Sequence, residues 1–167
     1  MLDRVINDIK KLDLRDGYYR EKINLILLNY KPEELNEYIE EYIDEHPDMK
    51  KIICNVNGNK YYKYILYSSQ NFDMVHIKWE KLAQSKIHDH PELGCIMMVL
   101  NDGKIIEDRF FKSEYTNLLV RCDQRRLGYG GIGYIKSNKI LHRIMAKEYT
   151  ETLHIYLPGN YIPTTFP

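Results

Sequence analysis

The residues best suited to chemistry are a His-x-His pair, His88 and His90, that precedes an apolar segment at residues 94–100. Side chains of an extended backbone alternate between two faces, so both imidazoles point to the same side and can reach one metal ion. Chance gives roughly 0.2 such pairs in a chain of this histidine content. The pair therefore indicates a metal site only together with a third ligand and a suitable fold.

His142 is the third candidate ligand, in the segment Ile140-Leu141-His142-Arg143-Ile144. In an antiparallel barrel a late strand can lie beside an early one. Three imidazoles on one face of an octahedron leave three positions for substrate and oxygen, as in non-haem iron enzymes, although the usual third iron ligand is a carboxylate. With only neutral ligands the ion keeps its 2+ charge and favours an anionic thiolate. The alternative interpretation of His142 is a core histidine bonded to the backbone.

Two kinds of hydrophobic periodicity define the elements that must position these residues. Apolar residues at helical spacing predict three helices, at residues 2–16, 18–29 and 32–45, and Pro32 suits the first turn of the third. After residue 49 the period changes to two, and β-branched and aromatic residues lie in short runs. The predicted strands are residues 51–56, 60–68, 73–79, 94–100, 104–111, 117–121, 133–135, 140–145 and 150–157.

This order of elements predicts a mainly β fold, an antiparallel double-stranded barrel or jelly roll with three N-terminal helices packed on it. Residues 1–49 form the helices and residues 50–167 the barrel, and we expect residues 1–167 to be one domain because no linker or repeat separates them. His76, in the third predicted strand, could face the barrel interior. No neighbouring motif supports it as a ligand, so a structural role is expected.

Composition limits the possible partners. Lysine plus arginine and aspartate plus glutamate both number 24, which gives no basic surface for nucleic acid. No apolar run is long enough for a membrane span or a signal peptide, so we expect a cytoplasmic protein. Three cysteines do not suggest a disulfide framework. A monomer acting on a small molecule is the expectation.

Four segments together resemble the cysteine dioxygenases, thiol dioxygenases of the cupin superfamily. They are Trp79 with Ser85-Lys86-Ile87-His88-Asp89-His90, then Cys95, then Leu141-His142-Arg143-Ile144, and finally Thr152-Leu153-His154-Ile155-Tyr156. Each segment alone is weak evidence for the family, but the order and spacing of the four segments fit the family throughout. The resemblance implies a cupin barrel and implies that His88, His90 and His142 bind Fe(2+).

The resemblance also implies roles for residues around the metal. Cys95 stands where ordinary cupins have a glutamate, and in animal-type members of the family such a cysteine becomes bonded to a tyrosine ring, here Tyr156, as a thioether. The alternative for Cys95 is a small buried hydrophobe. Thr152, His154 and Tyr156 alternate along one strand and could form a hydrogen-bonded chain that orients the phenol. The family usually has serine in place of Thr152, which keeps the hydroxyl.

Lys63 is the main departure from the family pattern. It aligns best with the arginine that holds the substrate carboxylate in the family, and Tyr61, two residues earlier, would support it on the same face. Arginine grips a carboxylate with two parallel hydrogen bonds, whereas lysine offers a hydrated point charge, so the substrate is less defined. In the alternative interpretation Lys63 faces solvent on an edge strand. Ile140 and Ala146 also depart from the family pattern, which usually has glycine at the first of these positions and asparagine at the second.

The expected function is that of a mononuclear iron(II) thiol dioxygenase that converts L-cysteine and O2 to cysteine sulfinate. Another small thiol, 3-mercaptopropionate or cysteamine, is the alternative substrate. A second alternative is a metal-binding cupin sensor or binding module without turnover, and a third is a cupin isomerase or a structural barrel that uses another metal.

Overall fold

The computed structural model describes residues 1–136 and 138–166. Three helices come first, as predicted: α1 (Leu2–Lys10), α2 (Tyr19–Leu28) and α3 (Pro32–Glu45). α1 ends earlier than its apolar spacing suggested. α3 begins at its proline, and Glu34 accepts a hydrogen bond from the backbone N–H of Lys31. None of the helices in the described part of the chain combines the length and apolar composition needed to cross a bilayer.

The chain after α3 forms strands. They are β1 (Lys51–Val56), β2 (Asn59–Ser68), β3 (Asp73–Trp79), β4 (Ile87–His88), β5 (Gly94–Val99), β6 (Ile105–Lys112), β7 (Leu119–Leu127), β8 (Ile132–Ile135), β9 (Leu141–Ala146), β10 (Thr150–Leu157) and β11 (Thr165–Phe166). One sheet has the order β1-β2-β3-β10-β5-β8 and the other β11-β4-β9-β6-β7. Neighbouring strands in both sheets are antiparallel, which confirms the predicted two-sheet architecture.

Two apolar cores share the six-stranded sheet. The barrel core lies between the sheets and joins residues such as Ile77 and Val99 to Ile105 and Ile144 of the other sheet. The second core lies on the outer face, where the three helices pack against residues such as Ile155. β10 serves both cores because its side chains alternate. The inward positions of β10 are thus free for polar residues, while the outward positions anchor the helices.

Three strands differ from the sequence prediction. β7 extends to Leu127, well past the predicted end at residue 121, and its residues are largely exposed at the edge of its sheet. Its run of charged residues has none of the alternation that marks a half-buried strand. β4 and β11 are only two residues long and were not predicted. They pair with each other, and β4 also pairs with β9, so tertiary contacts define them.

Candidate metal centre

His88 and His90 come together with His142, which lies 52 residues later in the chain. His88 is the last residue of β4 and pairs directly with His142 of β9, while His90 follows in the next loop. One ring nitrogen from each lies within 4.8 Å of the others. The Nε2 atoms of His88 and His142 are 2.9 Å apart. The structure therefore places the three predicted ligands around one point.

The other ring nitrogen, Nδ1, of each histidine faces a protein oxygen. The acceptors are the Lys86 carbonyl for His88 at 2.8 Å, the Ile140 carbonyl for His90 at 3.1 Å, and Glu107 Oε2 for His142 at 2.7 Å. Carbonyl and carboxylate oxygens only accept, so each Nδ1 carries the proton. Burial lowers the pKa of all three imidazoles below the ordinary value. Each ring is thus neutral, with its Nε2 lone pair directed at the common point.

This arrangement fits a divalent transition metal. Two lone pairs at 2.9 Å repel each other unless a cation or proton lies between them. His90 Nε2 is buried without a hydrogen-bond partner among the described residues, although buried polar atoms are normally satisfied. Imidazole nitrogens bind such ions at about 2.0–2.1 Å, and acceptors on Nδ1 orient the rings for this purpose.

Glu107 and Arg109 belong to the site and were missed by the sequence analysis. Both lie on β6, and Glu107 Oε1 accepts a hydrogen bond from Arg109 Nε at 2.9 Å while its Oε2 binds His142. Arg109 also donates to the Tyr134 carbonyl at 2.8 Å. In the sequence, the one indication that Glu107 and Arg109 point inward is that they share a strand face with apolar Ile105. The charged Asp108 between them conceals this alternation. The ion pair with Arg109 holds the Glu107 carboxylate in place, and the carboxylate in turn fixes the ring of His142.

A hydrogen-bonded chain extends along the inner face of β10, as predicted. Trp79 Nε1 donates to Thr152 Oγ1 at 2.9 Å, and Thr152 Oγ1 lies 2.7 Å from His154 Nε2. His154 Nδ1 lies 3.4 Å from the hydroxyl of Tyr156. Burial lowers the pKa of His154 and raises that of Tyr156, so both are neutral near pH 7. Tyr156 is therefore held beside the histidine cluster with its hydroxyl protonated.

Cys95 lies directly opposite Tyr156 on the neighbouring strand β5. Both residues share a face with the barrel core, and directly opposed side chains have Cβ atoms about 4.5–5.5 Å apart. Gly94 helps to set this register. Its φ is +101°, and a Cβ at this position would lie 1.8 Å from the carbonyl oxygen of Ile135, so only glycine fits. Cys95 is buried, and burial raises the pKa of its thiol.

Lys63 faces the barrel interior rather than solvent. It lines a cavity of about 300 Å³ together with His88, His142, His154 and Tyr156. Its charge is close enough to add to the effect of burial in lowering the pKa of His88 and His154. The alternative interpretation of an outward lysine is therefore wrong.

Tyr61 forms part of the wall of the same cavity. It stacks on Trp79 with ring centroids 4.5 Å apart. Burial raises the pKa of its hydroxyl, which is also hydrogen-bonded to Cys54. The predicted pair of Lys63 and Tyr61 thus lies on one face, with Tyr61 as a rigid support.

The cavity has a positive lining. Of the described residues that line it, none is an aspartate or glutamate, whereas Lys63 and the exposed Lys86 are both present. The imidazoles that line the cavity are neutral, so the two lysines set its charge and favour an anion. A second cavity of about 590 Å³ adjoins it and shares Lys63, His88 and Tyr156.

The C-terminal segment closes one side of the centre, which the sequence analysis also missed. β11 pairs Thr165 with His88, and Asp89 exchanges two hydrogen bonds with Thr164. These contacts hold β4, the short strand that carries His88, in position. No pattern in a segment of this length could have indicated such pairing, because it depends on where β4 lies.

Residues 30–164 match the family model described as cysteine dioxygenase type I. The chain belongs to the cysteine dioxygenase type I family. The cysteine dioxygenase type 1 proteins of Rattus norvegicus and Mus musculus are each 24% identical to it over 131 residues. The aligned part is 75% of this chain but 64% of those proteins, so the chain spans less than two thirds of the length of these curated relatives.

Solved structures with a similar fold come from other cupins. A mutant of Bacillus subtilis oxalate decarboxylase superposes with a TM-score of 0.51 and 18% identity, over 68% of this chain and 29% of that one. An oxalate oxidase matches with a TM-score of 0.51 and 16% identity, over 68% and 57%. At this identity the likeness concerns the fold alone. Together with the match to the cysteine dioxygenase family, it confirms the predicted cupin barrel, and the structure itself shows the three helices that precede the barrel.

Proposed function

We propose that this chain is a mononuclear iron(II) thiol dioxygenase that oxidises L-cysteine with O2 to cysteine sulfinate. The observation that carries the proposal is the meeting of three neutral imidazoles with Lys63 and Tyr156 in one cavity without a lining carboxylate. Membership of the cysteine dioxygenase family supports it. The product has both oxygen atoms of O2 on sulfur and the thiol proton is released, so sulfur is oxidised to the sulfinic level while O2 is reduced.

His88, His90 and His142 are proposed to hold the metal through Nε2. When bound, iron(II) supplies a Lewis acid for the thiolate and electrons that make O2 reactive. The three histidines contribute no negative charge, so the site favours an anionic sulfur ligand over a neutral thiol. Glu107 positions His142 by accepting a hydrogen bond from its Nδ1–H.

Lys63 is proposed to pair with the substrate carboxylate. Its ammonium group lies in the half-buried wall of the cavity, where a charge interaction is screened less than on the surface. This role favours a thiol with a carboxylate, L-cysteine or 3-mercaptopropionate, over cysteamine, which has none. Because lysine makes a point contact rather than a planar two-bond grip, the carboxylate is held with less directional control than an arginine would give.

Tyr156 is proposed to orient the substrate sulfur and oxygen by donating its hydroxyl proton in a hydrogen bond. Burial keeps this hydroxyl protonated near neutral pH. His154 holds Tyr156, and Thr152 with Trp79 holds His154. The chain therefore fixes the phenol without placing a charge beside the metal.

A thioether between Cys95 Sγ and the ring of Tyr156 is part of the proposal. The direct cross-strand pairing of the two residues supports it. Forming this bond removes the thiol hydrogen and one ring hydrogen, an oxidation for which O2 is the oxidant. The bond would lock the ring of Tyr156 in the position that its contact with His154 already favours.

Oxygen consumption by iron-loaded protein with a panel of L-cysteine, 3-mercaptopropionate and cysteamine tests the function. We expect uptake with the two carboxylate thiols, fastest with L-cysteine, and none in His142→Ala. Absence of uptake with every thiol would exclude the dioxygenase and leave the binding or sensor module and the isomerase or structural barrel. The one-domain organisation, the monomeric state and the cytoplasmic location stay predictions.

A further inference from the structure

A second cluster of metal-binding side chains lies on the opposite side of the six-stranded sheet from the three histidines. It consists of His76 on β3, Glu151 on β10 and Glu40 on α3. One nitrogen or oxygen atom from each lies within 4.8 Å of the others. His76 thus faces the helices and not the barrel interior, where the sequence analysis allowed it to lie. The cluster is therefore separate from the proposed iron site.

His76 is the unusual member of this cluster. It is 0% exposed, and neither ring nitrogen has a hydrogen-bond partner within residues 1–136 and 138–166. A buried polar group without a hydrogen-bond partner destabilises the folded protein, so native proteins rarely tolerate two such atoms on one ring. Burial lowers the pKa of His76 to about 3, which leaves the ring neutral with a free lone pair. That is the form in which histidine binds metals.

The distances suit a bridging cation. His76 Nε2 lies 3.8 Å from Glu151 Oε1. This is too long for a hydrogen bond, but an ion about 2.0–2.2 Å from each atom spans it. Asn36, on the helical turn before Glu40, has a buried Oδ1 without a partner among the described residues. Asn36 already contacts the cluster, because its Nδ2 donates to Glu151 Oε2 at 2.9 Å.

Lys78 shares the two carboxylates of the cluster. Its Nζ lies 2.8 Å from Glu40 Oε1 and 4.0 Å from Glu151 Oε1. Two carboxylates, one ammonium and a neutral imidazole sum to one negative charge, so the cluster has room for additional positive charge. Lys78 is partly exposed and flexible, and it can swing towards solvent when another cation takes its place.

We propose that His76, Glu151 and Glu40 form a second site for a divalent transition metal, most suited to Zn(2+), with Lys78 as its competitor. The mixture of one imidazole and two carboxylates suits zinc better than magnesium or calcium, which prefer oxygen alone. An ion here would tie α3 to β3 and β10. The inner faces of those strands carry Trp79, Thr152 and His154, so the ion would brace the sheet behind the proposed active site.

Zinc stoichiometry of the whole chain tests this proposal. After equilibration with zinc chloride and removal of free metal, we expect two zinc ions per chain in the wild type and one in Glu151→Gln or His76→Leu. His142→Ala should retain zinc at the second site. His46→Gln removes an exposed histidine at the end of α3 and serves as the matched control, with unchanged stoichiometry.

Lys78→Met provides a test that does not depend on removing a buried ligand. Without the competing ammonium, the second zinc should bind at least about tenfold more tightly, because one opposing charge is lost near two carboxylates. Titration with Co(2+), followed by its visible absorption, measures this affinity. Loss of all zinc in His142→Ala, or equal Co(2+) affinity in wild type and Lys78→Met, would overturn the proposal.

Discussion

Glu107 Oε2 lies 2.7 Å from His142 Nδ1, and Arg109 holds the other oxygen of the same carboxylate. This pair is the closest contact between the proposed metal ligands and a charged group. Both residues are buried, so Glu107 stays fixed and accepts the hydrogen bond from the imidazole without competition from water.

Glu107→Gln should weaken iron binding about 10–100-fold, because the neutral amide orients His142 less well and makes its Nε2 a poorer donor. Iron affinity can be measured by competition with a chelator. Asp108→Asn is the matched control, since Asp108 neighbours Glu107 on β6 but pairs with Gln124 and Arg143 instead. An equal loss of affinity in both variants would contradict the role of Glu107.

Lys63→Met should raise KM for L-cysteine by about tenfold or more, with a smaller effect on kcat, because the carboxylate loses its charged partner. Lys63→Arg should have a KM for L-cysteine equal to or lower than that of the wild type. Cysteamine, which lacks a carboxylate, provides the internal control and should show little change. If KM for L-cysteine is the same in Lys63→Met and the wild type, the carboxylate binds elsewhere.

Cys95→Ala should abolish a crosslinked species of the protein. The wild type, after turnover with iron and O2, is expected to run as a doublet on a denaturing gel, with one band lighter by two hydrogen atoms in mass spectrometry. Tyr156→Phe removes the hydroxyl and should also give a single band. Cys54→Ala is the control and should keep the doublet. A doublet that persists in Cys95→Ala would exclude the proposed thioether.

His154→Gln should reduce the pH dependence of stability in the metal-free protein. Burial holds the pKa of His154 well below the unfolded value near 6.5, so only the unfolded chain takes up a proton as the pH falls below about 6.5. The contribution of His154 to the free energy of unfolding is fully present above that pH. Below it, stability falls by about 1.4 kcal/mol per pH unit while the folded imidazole stays neutral. Urea unfolding at pH 7.5 and 5.5 measures the slope, and identical slopes in both proteins would contradict this assignment.

Much of the fold follows from local patterns. Pro32 and the apolar spacing after it define α3, and the alternation in β10 separates the residues that face the barrel interior from those that face the helices. β7 was predicted too short because its exposed residues bury no apolar face. β4 and β11 exist only because each pairs with a distant strand, which no local pattern can indicate.

The candidate site was predictable where residue type alone carries the chemistry. His88, His90 and His142 are distinctive in the sequence, and the family resemblance joined them before the structure placed them together. Glu107 was not predictable, because a charged residue among charged neighbours normally indicates solvent exposure. The direction of Lys63 also needed the structure, since β2 has mixed character on both faces.

In the proposed reaction, O2 is incorporated into a thiol at the three-histidine centre. Turnover of L-cysteine by iron-loaded protein under isotopically labelled O2, with the product analysed by mass spectrometry, tests it most directly. We expect cysteine sulfinate that carries both labelled oxygen atoms, and no such product from His142→Ala. Formation of cystine alone, or of sulfinate with oxygen from water, would contradict it.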